Sequence, residues 1–305
     1  MPNCNLVRTR NGSVRLSPHK VKRHMIAVLF LLPAIIAFIV IRYVPLIQCI
    51  WYSFHNYSIV DPPGNFVGFS NFVKVLKSDL FWQYFKNTLI LFGYSVIFGF
   101  FTPIIQALLL NEVKRGKGVL RYLYILPAGM PAIANITIWR YIWNPDWGLA
   151  NKLMDILGLS HQQWLQSAEW VKFCIRFPSL VGGGLGLLIY VTAINNISSD
   201  IYEAAAIDGA TAWQRIWRIT LPSIRGTIAT QFLFLISNSL LAFDDVFQLT
   251  KGGPGYSSTT MVIGLYKKAF AEQQFGIAMA MSVMVFLFGL TFSAITFRAQ
   301  TRKES

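Results

Sequence analysis

Long apolar runs alternate with shorter polar connections along most of the chain. Six runs have about 20 residues each, the length that a helix needs to cross the hydrocarbon layer of a membrane. They cover approximately residues 25–44, 88–110, 120–143, 171–194, 224–243 and 277–297. The pattern predicts an all-α, polytopic membrane protein with six transmembrane helices. The start of the fourth run is less regular, because Lys172, Arg176 and Pro178 interrupt it.

Basic residues are unevenly distributed between the two sets of connections. Sixteen Lys and Arg lie in the two termini and in the second and fourth connections, whereas nine lie in the other connections. Because the cytoplasmic segments of membrane proteins carry the excess of Lys and Arg, both termini are predicted to be cytoplasmic.

Two arginines, Arg42 and Arg140, lie inside or at the edge of apolar runs. A charge at membrane depth often marks a functional site. Both residues are near the predicted outer ends of their helices, where a long side chain reaches the headgroups or forms a structural pair. The sequence leaves these alternatives open.

The composition agrees with lipid as the main solvent. Only 13% of the residues are charged, about half of the proportion in soluble domains. The net charge of +14 does not indicate nucleic-acid binding, because the basic residues form short blocks between apolar runs rather than one soluble basic surface. Cys4, Cys49 and Cys174 have no metal-site or disulfide-framework spacing, so no metal site is expected.

The fourth connection contains the most specific local pattern. It reads as two short helices separated by a tight turn. Asp200 is expected to cap the first helix, and Thr211 with Gln214 forms a capping box for the second. Gly209 stands between them, where a left-handed residue ends a helix at no steric cost. Pro222 suits the entry into the fifth predicted span.

Each short helix has a face of small or apolar residues, which suits either an ordinary amphipathic surface loop or a docking face for another protein. These faces comprise Ile201, Ala204, Ala205 and Asp208 in the first helix, and Ala212, Ile216 and Ile219 in the second.

A family resemblance favours the docking face. Glu203-Ala204-Ala205, Gly209, Ile219 and Leu221-Pro222 match the cytoplasmic EAA loop of binding-protein-dependent ABC importer permeases. Further similarities lie at 125–127, Trp139, 144–145, 249–255 and 275–276. Over residues 84–298 the chain resembles maltose-type carbohydrate permeases, in particular the first of their two dissimilar permease subunits. Ser198 replaces a usual proline and Ile216 a common phenylalanine, which puts the exact fit of the loop in doubt.

The resemblance implies the transmembrane domain of a type I ABC importer, in the cytoplasmic (inner) membrane of a bacterium. The expected organisation is a basic cytoplasmic tail (1–24), a first helix with an external loop (25–83), the importer domain (84–298) with its coupling loop (199–222), and a cytoplasmic tail (299–305). The implied cargo is a sugar or oligosaccharide, delivered by an extracellular or periplasmic binding protein.

The resemblance also implies partners that use ATP. A second, dissimilar permease and two cytoplasmic ATPase subunits are expected, with ATP and Mg bound by the ATPase, because this chain lacks a Walker-type phosphate loop. No catalytic residue is therefore expected here. The residues assigned to coupling by the resemblance are Glu203, Ala204, Ala205, Asp208, Gly209 and Arg215.

Two groups of residues are candidates for the cargo pathway. Ser237, Asn238 and Ser239 form a polar island in the fifth run, suited either to sugar hydroxyls or to bonds between helices. The resemblance favours sugar. Gly182, Gly183 and the neighbouring glycines of the fourth run allow either close helix packing or a wider cavity.

Other functions fit the residues less well. A secondary transporter would need carboxylates within the spans, and the predicted cores contain none. A membrane enzyme would need a catalytic cluster of His, Cys or carboxylate residues, and the four histidines lie outside the spans. Glycerol phosphate or another polyol derivative is an alternative cargo, for which Arg140 is the candidate anion contact.

Overall fold

Helices make up nearly all of the regular structure. The computed structural model describes residues 7–8, 14–15, 18–59, 64–113, 115–182 and 184–301. Within these ranges, the strands Val7–Arg8 and Val14–Arg15 form one short antiparallel pair, and the other regular elements are helical. The predicted all-α class is confirmed. The chain divides into two compact units, Met1–Tyr52 and Ser53–Ser305.

The first unit contains one long helix. It runs through Pro18–Phe38, a π-helical stretch at Ile39–Tyr43, and Val44–Tyr52. Its apolar portion, Met25–Ser53, is 29 residues long, longer than the roughly 20 residues that a span requires. Arg42 is exposed within the π-helical stretch. The helix extends beyond the predicted end at residue 44 because the apolar pattern continues through Ile47, Ile50 and Trp51.

Two uninterrupted spans lie in the second unit, Asp79–Glu112 with 34 residues and Phe275–Arg298 with 24. The earlier of these begins well before the predicted residue 88, because Phe81 and Tyr84 continue its buried face. The side chains of Phe81 and Tyr84 pack with Met261 and Met281 in one core cluster. Short helices at Ser70–Leu76, Leu149–Ile156, Asp244–Thr250 and Met261–Tyr266 occupy the long connections.

The remaining three predicted helices are not continuous. The third run divides into Lys117–Ile125, a 3₁₀ turn at Leu126–Gly129, and Ala132–Ile142. Pro127 and Pro131 cause this break, because proline has no N–H donor and shifts the preceding residue away from helical geometry. Three of the six predicted helices are therefore interrupted. By length and composition, the described residues contain three uninterrupted spans, or up to five if each bent pair is one span.

The two bent pairs correspond to the fourth and fifth predicted helices. Val171–Val181 and Gly184–Asn195 meet at 41°, whereas Ala212–Ser223 and Arg225–Leu240 meet at 68°. The helix Gly184–Asn195 packs along Phe101–Glu112, and the interface buries Ala107, Leu187 and Tyr190 among others. This packing fixes the second half of the bent fourth helix, Gly184–Asn195, against the second span.

Buried side-chain amides and hydroxyls of the second span hold the loop that precedes Met261. Asn87 Nδ2 donates to the carbonyls of Tyr256 and Thr259 at 2.8 and 3.1 Å. Thr88 Oγ1 accepts from the Met261 N–H at 3.0 Å. In the following helix, burial lowers the pKa of Lys267 below its usual value. Its ammonium lies 5.4 Å from the centre of the Tyr256 ring, so the ring faces a desolvated cation.

Candidate coupling and translocation sites

The loop predicted to couple begins with a capped helix, Ser199–Ile207. The capping residue is Ser198, whose hydroxyl accepts from the Asp200 N–H at 3.3 Å. The prediction that Asp200 is the cap is therefore wrong. Asp200 lies in the first turn of the helix, where its negative charge interacts favourably with the positive end of the helix dipole. Ser198, which stands where the family usually has a proline, thus caps the first loop helix.

The turn and the second loop helix, Ala212–Ser223, follow the predicted pattern. Gly209 has φ +73°, a left-handed conformation that residues with a Cβ adopt at a cost. Thr211 and Gln214 make both bonds of the predicted capping box. The Gln214 N–H donates to Thr211 Oγ1 at 3.3 Å, and the Thr211 N–H donates to Gln214 Oε1 at 2.8 Å.

The two loop helices and the turn between them, residues 199–223, form an elbow. One contact joins its two helices, and another joins it to the membrane domain. Tyr202 and Thr220 share a hydroxyl hydrogen bond of 2.9 Å between the two loop helices. Arg215 Nη2 donates to Glu112 Oε2, at the end of the second span, at 3.3 Å. The elbow is thereby in direct contact with the end of the helix Phe101–Glu112.

The predicted coupling residues lie on different sides of the elbow. Glu203, Ala204, Asp208 and Gly209 are exposed, whereas Ala205 is only 9% exposed. Ala205 and Arg215 are thus internal supports of the loop. Ala204 and Asp208 of the predicted flat face are accessible, whereas Ala205 of the same face is buried.

The breaks in the third and fourth predicted helices meet. A Cβ added at Gly182 would lie 3.3 Å from Pro127 Cβ and Cγ, closer than an ordinary contact. This distance favours the close-packing interpretation at Gly182. Gly183 lies outside the described residues.

A groove of about 490 Å³ runs beside this contact. Asn135 and Ser179 supply polar groups, and Trp139 and Pro178 are among the apolar lining residues. Irregular backbone at membrane depth is tolerated where it lies inside the protein or lines a cavity. We name this site the break groove, and Gly182 is the predicted pathway residue that lies in it.

The predicted polar island lies on another helix. Ser237 and Asn238 are exposed and Ser239 is 5% exposed. Ser237 Oγ donates to the Leu233 carbonyl of its own helix at 3.2 Å. None of the three is among the described residues that line the break groove. The structure therefore does not bring the two predicted pathway groups together within this chain.

Comparison with known proteins identifies the family. The family model described as binding-protein-dependent transport system inner membrane component matches residues 95–303. The chain belongs to this family. The resemblance predicted from the EAA loop is confirmed, and the protein is a membrane permease of an ABC importer and a transport subunit rather than an enzyme.

Named relatives of this permease align over nearly the whole chain. The trehalose/maltose transport system permease protein MalF of Thermococcus litoralis is 30% identical over 289 residues, which are 93% of this chain and 96% of the relative. The sn-glycerol-3-phosphate transport system permease protein UgpA of Pectobacterium atrosepticum is 28% identical over 277 residues, 89% of this chain and 92% of the relative.

A solved structure supports the same architecture for the permease. The crystal structure of a bacterial ABC transporter that imports the acidic polysaccharide alginate has a chain with a TM-score of 0.83 and 28% identity to this one. The match covers 93% of this chain and 98% of that chain. A second structure contains that transporter with its periplasmic protein bound to an alginate pentasaccharide. The type I importer fold expected from the sequence is confirmed.

Arg140 of the permease forms a structural contact. Its guanidinium donates to the Gln248 carbonyl. This agrees with the structural alternative in the sequence analysis. Arg140 also lines a second cleft of about 660 Å³, together with Asn144, Gln166 and Thr250.

A largely buried ion pair joins two helices of the permease and was not predicted from the sequence. Arg176 Nη1 donates to Asp245 Oδ2 and joins the helix Val171–Arg176 to Asp244–Thr250. The Arg176 side chain is 11% exposed and that of Asp245 37%. Arg176 interrupts the fourth apolar run, and Asp245 follows the end of the fifth. Since 69 residues separate them, no local pattern predicts their contact.

The described part of the permease contains no candidate metal site. There, no group of three or more His, Cys, Asp or Glu side chains is arranged to hold a metal ion. Cys174 is a buried free thiol, and Cys4 lies outside the described residues.

Proposed function

We propose that this permease imports a sugar or oligosaccharide and that its elbow transmits motion from two cytoplasmic ATPase subunits. The observation that carries the coupling proposal is the elbow itself. The exposed first loop helix, with Glu203 and Ala204, is joined to the second loop helix by the bond between Tyr202 and Thr220. Arg215 of the second loop helix in turn contacts Glu112 of a membrane helix at 3.3 Å. Small side chains allow a partner to approach the backbone closely, and the contacts of Tyr202 and Arg215 hold the loop in place.

The coupling residues have two roles in this proposal. Glu203, Ala204, Asp208 and Gly209 contact the ATPase. Ala205 and Arg215 hold the loop in place beneath the spans. ATP and Mg bind to the ATPase subunits, which are separate chains, and a second and dissimilar permease completes the membrane part.

The charge distribution supports a topology with both termini in the cytoplasm. Residues 1–24 and 299–305 are then cytoplasmic tails, and residues 25–83 comprise the first span and an external loop. Residues 84–298 form the importer domain, whose loop at 199–222 faces the ATPase. The binding protein delivers its cargo to the opposite face.

The break groove supports a carbohydrate cargo. Asn135 and Ser179 offer hydrogen bonds to sugar hydroxyls beside the flat surface of Trp139, a combination of polar and aromatic groups typical of ligand sites. Ser237, Asn238 and Ser239 belong to the same pathway when the second permease encloses it. Relatives that transport trehalose/maltose support this assignment.

Glycerol phosphate is the second candidate cargo. A relative that carries this compound supports it, and Arg140 is the cation that an anionic cargo would use. The sugar is favoured because the Arg140 guanidinium already donates to the Gln248 carbonyl.

The experiment is to purify the permease with its genomic neighbours and measure ATPase activity with empty and loaded binding protein. We expect loaded binding protein to stimulate hydrolysis, and Glu203→Lys to abolish that stimulation while the subunits remain assembled. Undiminished stimulation in Glu203→Lys and in Gly209→Pro would contradict the coupling role. Comparing oligosaccharides with glycerol phosphate as ligands of the binding protein tests the cargo.

A further inference from the structure

The second loop helix, Ala212–Ser223, has an orientation that coupling alone does not explain. It meets the span Arg225–Leu240 at 68°. Transmembrane helices tilt by about 20° on average from the bilayer normal. A helix that leaves a span at such a steep angle runs close to the membrane plane, at the depth of the headgroups.

The outward face of this helix carries two large aromatic side chains. Trp213 is 68% exposed and Trp217 is 56% exposed. Their rings contact each other edge to face, with centroids 5.6 Å apart. Tryptophan is enriched at membrane interfaces, where its amphipathic ring lies at headgroup level. An exposed pair of this size in water would be costly without a covering partner.

The charges on the two loop helices differ in sign. The first loop helix and its turn carry Asp200, Glu203 and Asp208, all exposed. The second loop helix and the start of the fifth span expose Arg218 and Arg225, for which no carboxylate partner is found among the described residues. Arg215, in contrast, is paired with Glu112. The positive charge beside the tryptophans is therefore available to an anionic surface.

We propose that Trp213, Trp217, Arg218 and Arg225 bind anionic phospholipids of the cytoplasmic leaflet. The proposal rests on the cytoplasmic placement of the loop under the proposed function. Interfacial helices combine aromatic side chains on one face with basic residues that attract anionic lipid. This contact fixes the height of the second loop helix at the membrane, while the acidic first loop helix remains free for the ATPase.

The test compares a fluorescent probe at two positions of the loop in the complete transporter. Trp213→Cys and the control Ile207→Cys are made in a cysteine-free background and labelled with an environment-sensitive dye. Ile207 is 87% exposed on the first loop helix. The complexes are reconstituted in nanodiscs that contain headgroup-level spin-labelled phosphatidylglycerol or phosphatidylcholine.

We expect lipid quenching of the dye at position 213, stronger with phosphatidylglycerol, and little quenching at position 207. Arg218→Gln with Arg225→Gln should reduce the preference for phosphatidylglycerol by about 25-fold, since each basic residue near an anionic surface contributes a factor of about five. The charge-matched control, Lys77→Gln with Lys152→Gln, lies on the predicted outer face and should leave the preference unchanged.

Two results would overturn the proposal in different ways. If position 213 is not quenched by lipid and is shielded only when the ATPase subunits are present, the tryptophan pair is a protein-docking surface. A thiol reagent that does not cross membranes identifies the side on which Ile207→Cys lies. If that cysteine reacts only from the outside, the topology in the proposed function fails as well.

Discussion

The elbow and the break groove differ in how the sequence encodes them. The geometry of the elbow depends on residues within a few positions of one another, such as Thr211 with Gln214, and on the φ of +73° at Gly209. The break groove depends on Gly182 meeting Pro127, far away in sequence. We infer that the moving part is specified locally and the route for cargo by long-range packing. Substitutions in the elbow should therefore weaken its coupling to the ATPase without unfolding it. Substitutions at the break groove should instead lower the stability of the surrounding region.

The largest expected effect on stability is at the ion pair near the groove. Asp245→Ala leaves Arg176 buried without its partner, and loss of one member of a buried pair costs about 3 kcal/mol. We place the effect at this lower end because Asp245 is 37% exposed. Thermal unfolding in detergent measures it.

The matched control for the ion pair is Asp155→Ala. The pair of Asp155 with His161 has side chains that are 59% and 54% exposed, and such surface pairs contribute about 0–1 kcal/mol. Equal losses of stability in the two variants would show that burial does not distinguish the pairs.

The next effect is at the contact between the two breaks. Gly182→Val inserts a branched side chain where Pro127 already lies 3.3 Å from an added Cβ, and overpacking of this kind costs about 1–3 kcal/mol. Gly93→Val is the control, because nothing lies within 4 Å of an added Cβ there. We expect a lower melting temperature for the first variant only.

Uptake of short and long oligosaccharides by Gly182→Val separates the two roles considered for the glycines. Equal loss at every length agrees with close packing. Selective loss of long cargo would contradict it and favour a widened cavity.

At the elbow, Gly209→Val should reduce coupling more than stability. A left-handed residue with a Cβ costs about 1–2 kcal/mol, which we expect to appear as a roughly tenfold loss of ATPase stimulation by loaded binding protein. Gly116→Val is a close control, since Gly116 has φ +77° and equal space around its Cβ but lies in the second connection. An equal loss of ATPase stimulation in Gly116→Val would contradict a specific role of the elbow in coupling.

The smallest effect is expected from the capping box. Thr211→Ala removes the hydroxyl that accepts from the Gln214 N–H, and loss of such a cap costs about 1 kcal/mol. Partial loss of ATPase stimulation with an unchanged melting temperature of the membrane domain is the expected result. Thr211→Ser keeps the acceptor oxygen and should behave like the unmodified protein.

The sequence predicted the helical class, the capping box and the left-handed glycine, because each follows from neighbouring residues. It did not predict the break at Pro127 and Pro131, although both prolines were visible, since their apolar surroundings favoured a continuous span. The pairing of Arg176 with Asp245 was also missed, because contact across 69 residues depends on tertiary packing. The cap was assigned to Asp200 instead of Ser198, an error of two positions within a correctly predicted helix.

The most direct test of the account is cargo uptake by sealed vesicles of defined composition. Vesicles that contain this permease with its partner permease and the ATPase subunits, supplied with loaded binding protein, should accumulate cargo only when the ATPase can reach ATP. Vesicles that contain this chain alone should accumulate none. Accumulation by the chain alone, without nucleotide, would contradict the claim that a separate ATPase drives the elbow.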